Sequence, residues 1–258
     1  VSDVLDAFRL DGRVAVVTGA AHGIGRAISL AFAEAGAAVA CVDIEADLAT
    51  VTAEAIRQAG GSATAFACDV AEEASVRAAA AEIERKLGRA RVLVNGAATL
   101  DVGGPVLETD LATWNRVIAI NLTGAFLMSK AVLPAMIAAG GGSIIHIASQ
   151  LGSVASPGRA AYCSTKGALI QLAKVMAAEL GSRGIRVNTL SPGGVETRRL
   201  EFRYGDMESA RRANVAKYLL GRLGQPAELA AAALFLAADA SSFMTGADLL
   251  VDGGYNAV

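Results

Sequence analysis

The sequence predicts an α/β fold, a single doubly wound parallel sheet with helices on both faces, and three observations carry it. Short β-branched runs alternate with longer helical patterns from one end to the other. The short runs are apolar throughout, as strands buried on both faces require. The first of them runs straight into a glycine-rich turn that opens a helix.

The elements follow in order. VAVVTG at 14–19 reads as a strand, IGRAISLAFAEAG at 24–36 as a helix stopped by glycine, and AAVACVD at 37–43 as the second strand. Further strands are expected at 62–70, 91–98, 142–149, 185–193 and 246–254, each ended by turn chemistry. The helical patterns between them supply right-handed crossovers. Ala-rich helices are expected at 110–139 and 158–183. No linker divides the chain, so 1–258 reads as one domain. The segment 197–222 breaks the regularity: it is polar, Arg-rich and placed after a strand, where a substrate lid would sit.

Composition narrows the function. With 258 residues, 53% hydrophobic and 19% charged, the chain has ample core and no disorder signature. A net charge of −2 without blocks of like charge argues against nucleic acid and anionic membrane as partners. Every apolar run reads as too short or too interrupted to span a bilayer, and the N-terminus, which starts at Val1 as in a processed chain, lacks a signal peptide. Cys41, Cys68 and Cys163 are widely spaced, which indicates neither disulfides nor a metal site and fits a cytoplasmic protein.

The turn TGAAHGIG places Gly19, Gly23, Ile24 and Gly25 between strand and helix. Glycines let the backbone approach a pyrophosphate, which free N–H groups at the helix start then hold. The second strand ends at Asp43, near the offset of an acid that binds an adenosine ribose. A carboxylate there repels a 2′-phosphate, Ile44 follows, and no arginine stands ready to neutralise that phosphate, so NAD is expected over NADP. His22 within the turn is the complication, and a helix cap is the structural alternative for Asp43.

YCSTK sets Tyr162 and Lys166 four apart, on one face of a helix. A cation beside a phenol favours phenolate and suits it to general acid–base work. TGAAHGIG, Asp69, NGAA at 95–98, Asn121, Ser149, YCSTK and SPGGVET, in this order and spacing from about Arg13 to Tyr255, resemble the short-chain dehydrogenases/reductases. The resemblance implies a Rossmann-type fold, NAD as cofactor, and interconversion of a small secondary alcohol and a ketone. It implies that Tyr162 exchanges a proton with the substrate oxygen, Ser149 orients that oxygen, Lys166 holds the nicotinamide ribose, and Asn121 helps hold a relay water. It also implies that Asp69 and Val70 face adenine, that Asn95 and Ala97 line the cofactor wall, and that Pro192, Gly193, Val195 and Thr197 shape the nicotinamide site. A homo-oligomer follows from the same resemblance, a tetramer ahead of a dimer, through 110–139, 158–183 and the closing MTGADLLVDGGY.

One departure stands out: the family's Asn-Asn-Ala-Gly is here Asn95, Gly96, Ala97 and Ala98, which removes a side chain able to brace the central sheet. His146 reads as packed structure and not a ligand. Of the lid arginines, Arg198 or Arg203 is expected to face the active site while the rest pair with lid carboxylates. A 3-oxoacyl carrier-protein reductase is the rival activity; Asp43 and Leu127 weigh against it and Arg183 for it. A catalytically silent NAD-binding subunit is the rival of another class, opposed by the intact Ser149, Tyr162 and Lys166.

Overall fold

A computed structural model describes residues 4–100 and 104–257. Seven parallel strands form the sheet: β1 (Val14–Thr18), β2 (Ala38–Asp43), β3 (Ser62–Ala67), β4 (Ala90–Asn95), β5 (Gly142–Ile147), β6 (Ile185–Pro192) and β7 (Asp248–Val251). Their order is β3-β2-β1-β4-β5-β6-β7. Chain direction across the sheet reverses at β1, between β2 and β4, and such a switch point opens a crevice at the carboxyl ends of the strands. Thr18 pairs in register with Asn95 of β4, and Asn95 with His146 of β5, so the loops after β1, β4 and β5 leave the sheet side by side.

The helices are α1 (Gly23–Glu34), α2 (Ala46–Gln58), α3 (Glu73–Leu87), α4 (Leu111–Ile118), α5 (Gly124–Ala138), α6 (Ala160–Leu180), α7 (Arg198–Tyr204), α8 (Met207–Asn214) and α9 (Pro226–Ala237). Alternate strand residues feed two cores. Ala15, Val17, Val39 and Cys41 join Ile28 and Phe32 of α1, Ile56 of α2 and Leu236 of α9. Val14, Val16, Ala40 and Val42 join Ile83 of α3, Met128 and Met136 of α5 and Met176 of α6. Each fully buried large side chain contributes about 1.5–3 kcal/mol, which is why strands with no polar face persist. Every residue of β1 is buried.

Two expectations change. The predicted strands overrun: 62–70 pairs only to Ala67 and 91–98 only to Asn95, because the neighbouring strands end there and the following residues turn away as loops. The apolar runs are also not all too short for a bilayer, since the helical stretch Leu111–Ala138 spans 28 residues and is apolar enough by length and composition. Its apolarity has a local cause: it is the crossover from β4 to β5, and Val117, Met128, Val132 and Met136 are buried in the core.

Candidate active site

The glycine-rich turn is built by close approach. Gly19 has φ +76°, and a Cβ there would lie 2.9 Å from the Ala97 nitrogen and the Gly96 carbonyl oxygen. A Cβ on Gly25 would collide with the Gly19 carbonyl oxygen. The N-cap of α1, His22, makes no side-chain cap bond, so the helix start keeps its N–H groups for another acceptor. Ile24 packs on the core behind it. Asp43, half-buried at the end of β2, accepts from the amides of Ala21 at 2.9 Å and Glu45 at 3.1 Å. The carboxylate thus caps a turn and also ties β2 to the glycine-rich loop, and each oxygen retains a lone pair for a diol. A glycine cradle, an uncapped helix start and a strand-end carboxylate fit a dinucleotide. One neighbour was not anticipated: Arg198 Nη1 lies 3.4 Å from His22 Nε2, which is also 3.4 Å from Glu45 Oε1. An arginine does stand beside the turn, brought there by the lid.

The cofactor wall after β3 and β4 is fixed by side-chain hydrogen bonds. Asp69 accepts from the Ala71 amide at 2.9 Å, and Val70 is buried against Gly124, whose missing Cβ leaves room for it. Gly96 and Ala97 both donate their amides to Thr18 Oγ1, at 3.0 and 3.2 Å. A Cβ on Gly96 would stand 2.7 Å from the Thr18 carbonyl oxygen, which accounts for glycine at this point of departure from the family. The bracing of the central sheet falls to Asn95, whose Nδ2 donates to Ser129 Oγ at 3.0 Å and to His146 Nδ1 at 3.1 Å. His146 is fully buried, and burial, with the charge of Lys166 behind it, brings its pKa down to about 4.

Asn121 sits in a π-helical turn, Ala119–Thr123, between α4 and α5. Such single wide turns recur at functional sites because they re-aim a side chain. The Asn121 amide takes both main-chain groups of Thr99, accepting from its N–H at 2.7 Å and donating to its carbonyl at 2.9 Å. It also donates to Thr165 Oγ1 at 3.4 Å, and Thr165 donates in turn to the Tyr162 carbonyl at 2.7 Å. Asn121 is thereby joined to the helix that carries YCSTK.

Lys166 is buried on α6, its Nζ 5.5 Å from the centre of the Tyr162 ring and 2.6 Å from the Ile147 carbonyl oxygen. Burial pulls its pKa down to about 7, and the Arg199 guanidinium acts in the same direction. Ser149 follows β5, two residues after Ile147, and its Oγ accepts from the Leu151 amide at 3.1 Å. The turn it opens packs on α6, since a Cβ on Gly152 would come within 2.9 Å of the Lys166 carbonyl. Ser149, Tyr162 and Lys166 therefore gather where β5 meets α6.

The loop beyond Pro192 is held from below. Gly193 donates to the Val251 carbonyl at 3.0 Å, Gly194 donates to the Tyr218 hydroxyl at 2.8 Å, and Val195 pairs with Gly224. Thr197 then reaches the glycine-rich turn: its methyl is 3.0 Å from where a Gly23 Cβ would stand. Two short helices, α7 and α8, follow. Arg211 and Arg212 pair with Glu196 and Glu208, as expected of solvated lid charges. Arg198 turns to His22 and Arg203 lies over the Tyr204 ring, while Arg199 donates to the Ala98 carbonyl. Successive residues on a helix point about 100° apart, so placing one arginine removes its neighbour from that direction. Sequence reading also passed over Thr18 and Tyr218, single polar residues whose only signal is a position next to a glycine-rich loop in space.

The family profile described as Enoyl-(Acyl carrier protein) reductase matches residues 19–256. The D-threitol dehydrogenase of Mycolicibacterium smegmatis is 46% identical over 96% of this chain and 94% of its own length. A solved short-chain type dehydrogenase/reductase from Mycobacterium marinum superposes with a TM-score of 0.94, at 38% identity, over 99% of this chain and 100% of that one. A gluconate 5-dehydrogenase from Burkholderia cenocepacia, solved with NADP and tartrate, gives a TM-score of 0.93 at 39% identity, with 99% and 100% covered. This chain is an oxidoreductase that belongs to the short-chain dehydrogenase/reductase family.

Proposed function

We propose that the chain interconverts a small secondary alcohol and its ketone with NAD as cofactor, and that Tyr162 is the acid/base. The observation that carries this reading is the gathering of Ser149, Tyr162 and Lys166 at one strand end, linked through Thr165 to Asn121. In the oxidative direction the Tyr162 phenol oxygen takes the proton of the substrate hydroxyl, and the Ser149 hydroxyl donates to the same oxygen to orient it. NAD, when bound, supplies the acceptor for the hydride of the carbinol carbon. Lys166 holds a ribose hydroxyl and sets its ammonium 5.5 Å from the centre of the Tyr162 ring. Asn121 orders the Thr99 loop and, with Lys166, the proton exit.

The cofactor wall consists of Gly19, Gly23, Ile24, Gly25, Asp43, Asp69, Val70, Asn95, Ala97, Pro192, Gly193, Val195 and Thr197. Asp43 favours NAD, since a 2′-phosphate would meet its carboxylate; the His22–Arg198 pair opposes that preference in part. The segment 197–222 serves as the substrate lid of a single domain. The threitol and gluconate dehydrogenases among the relatives support a polyol or hydroxy acid as substrate class. Three free cysteines, two of them buried, suit a cytoplasmic enzyme. Exposed Phe126 on α5 and Val175 on α6 support a homo-oligomer, a tetramer ahead of a dimer, which light scattering at micromolar concentration reads directly. A panel of secondary alcohols, polyols and hydroxy acids, followed by NADH formation, tests the activity. Turnover of at least one member with NAD is expected. Saturable NAD binding without turnover of any member would point instead to a silent cofactor-binding subunit.

A further inference from the structure

The lid arginines sort by what they touch. Arg211 forms two bonds to Glu196, at 2.6 and 2.7 Å, Arg212 pairs with Glu208 at 2.6 Å, and Arg203 stacks on Tyr204. Arg199 is different: among the described residues it meets no carboxylate, and its hydrogen bond goes to one main-chain carbonyl, that of Ala98. A guanidinium carries five donors in a planar fork that matches a carboxylate, and one carbonyl uses a single donor.

Its place in the fold gives this meaning. Arg199 stands in the first turn of α7, just past the Thr197 that approaches the glycine-rich turn. Ala98 follows the cofactor wall on the loop after β4, and the next residue, Thr99, is clasped on both sides by Asn121. The guanidinium thus spans the opening from the lid to the loop that Asn121 orders. Arg116 donates to the same loop, at Thr99 Oγ1 (3.3 Å) and the Leu100 carbonyl (3.4 Å). Arg199 and Arg116 thus bring two guanidiniums to the loop after β4. Glu196 is committed to Arg211, and Asp43 to the amides of Ala21 and Glu45. Two guanidiniums on one loop, neither paired with a carboxylate among the described residues, are complementary to an anion.

We infer that Arg199 is the specificity-determining residue of this site and that it reads a carboxylate, so that the preferred substrate is a hydroxy acid or the corresponding oxo acid. The inference rests on the dehydrogenase reading above and names the substrate class of that same site. The hydrogen bond to Ala98 is the resting partner that the substrate carboxylate displaces.

The test uses matched pairs that differ in charge: threonate with threitol, galactonate with galactitol, and cis-4-hydroxycyclohexanecarboxylate with cis-4-methylcyclohexanol. The quantity read is the acid-to-alcohol ratio of kcat/KM, taken on the pair with the highest activity. The wild-type ratio exceeds one, Arg199→Ala lowers it roughly thirtyfold or more, and Arg199→Lys restores part of it. A ratio that moves less than about threefold in Arg199→Ala overturns the inference, including the case in which both members lose activity equally, as a simple lid latch would give. Calorimetric titration of the three acids into Tyr162→Phe enzyme holding NAD reads binding without turnover. Binding that weakens roughly thirtyfold on adding Arg199→Ala supports the inference even if the wild type turns over nothing, an outcome in which only the dehydrogenase reading fails. Absence of acid binding in the presence of Arg199 overturns it.

Discussion

The ammonium of Lys166 donates to the carbonyl oxygen of Ile147 at 2.6 Å, and among the described residues no carboxylate is bonded to it. The lysine is held by a neutral acceptor and buried, so its charged form is disfavoured and its pKa falls from 10.5 to about 7.

That burial has a sign for stability. Between pH 7 and 10.5 the unfolded chain holds a proton on Lys166 that the folded chain releases, so stability rises with pH through this window. Below pH 7 both states are protonated and the contribution is flat. Urea unfolding of the cofactor-free protein from pH 7 to 9 is expected to show this rise, up to about 1.4 kcal/mol per pH unit from one proton, and Lys166→Met is expected to flatten it. An equal rise in both proteins would contradict the placement of Lys166.

Acid acts through His146. Its folded pKa of about 4 lies below the ordinary 6.5, so its contribution is complete above pH 6.5 and is lost as pH falls toward 4. The loss is on the order of 3 kcal/mol. His146→Asn keeps a partner for Asn95 and removes the titration, so its denaturation midpoint is expected to hold steadier across that range. A parallel decline in wild type and variant would assign the acid sensitivity elsewhere.

Cofactor choice is expected to turn on Asp43. The unmodified enzyme should prefer NAD to NADP by about tenfold or more in kcat/KM, and Asp43→Ala with Ile44→Arg should narrow or reverse the preference. Equal efficiency with both cofactors would show that the His22–Arg198 pair overrides the carboxylate.

What the sequence reveals and what it conceals divide along physical lines. Buried parallel strands and YCSTK are legible because burial on both faces and an i, i+4 pair are local patterns. The strand ends at Ala67 and Asn95 are not, since a strand stops where its neighbour stops pairing. The span 110–139 reads as one helix, yet a π-helical turn at Ala119–Thr123 aims Asn121 at Thr99; one extra residue in a turn leaves no trace in apolar spacing. His146 is legible as structure but not as the partner of Asn95, because register alone brings them together. Nor is it legible that Arg199 bonds to the Ala98 carbonyl while Arg198 turns to His22, since that depends on how the lid packs on two loops distant in sequence.

The most direct test of the central claim is Tyr162→Phe, assayed for turnover on the best substrate and for NAD binding by calorimetry. The substitution deletes the exchangeable proton and almost no volume. Turnover is expected to fall by about a hundredfold or more while the NAD affinity stays within about threefold of wild type. Retention of more than about a tenth of the wild-type rate would contradict Tyr162 as the acid/base.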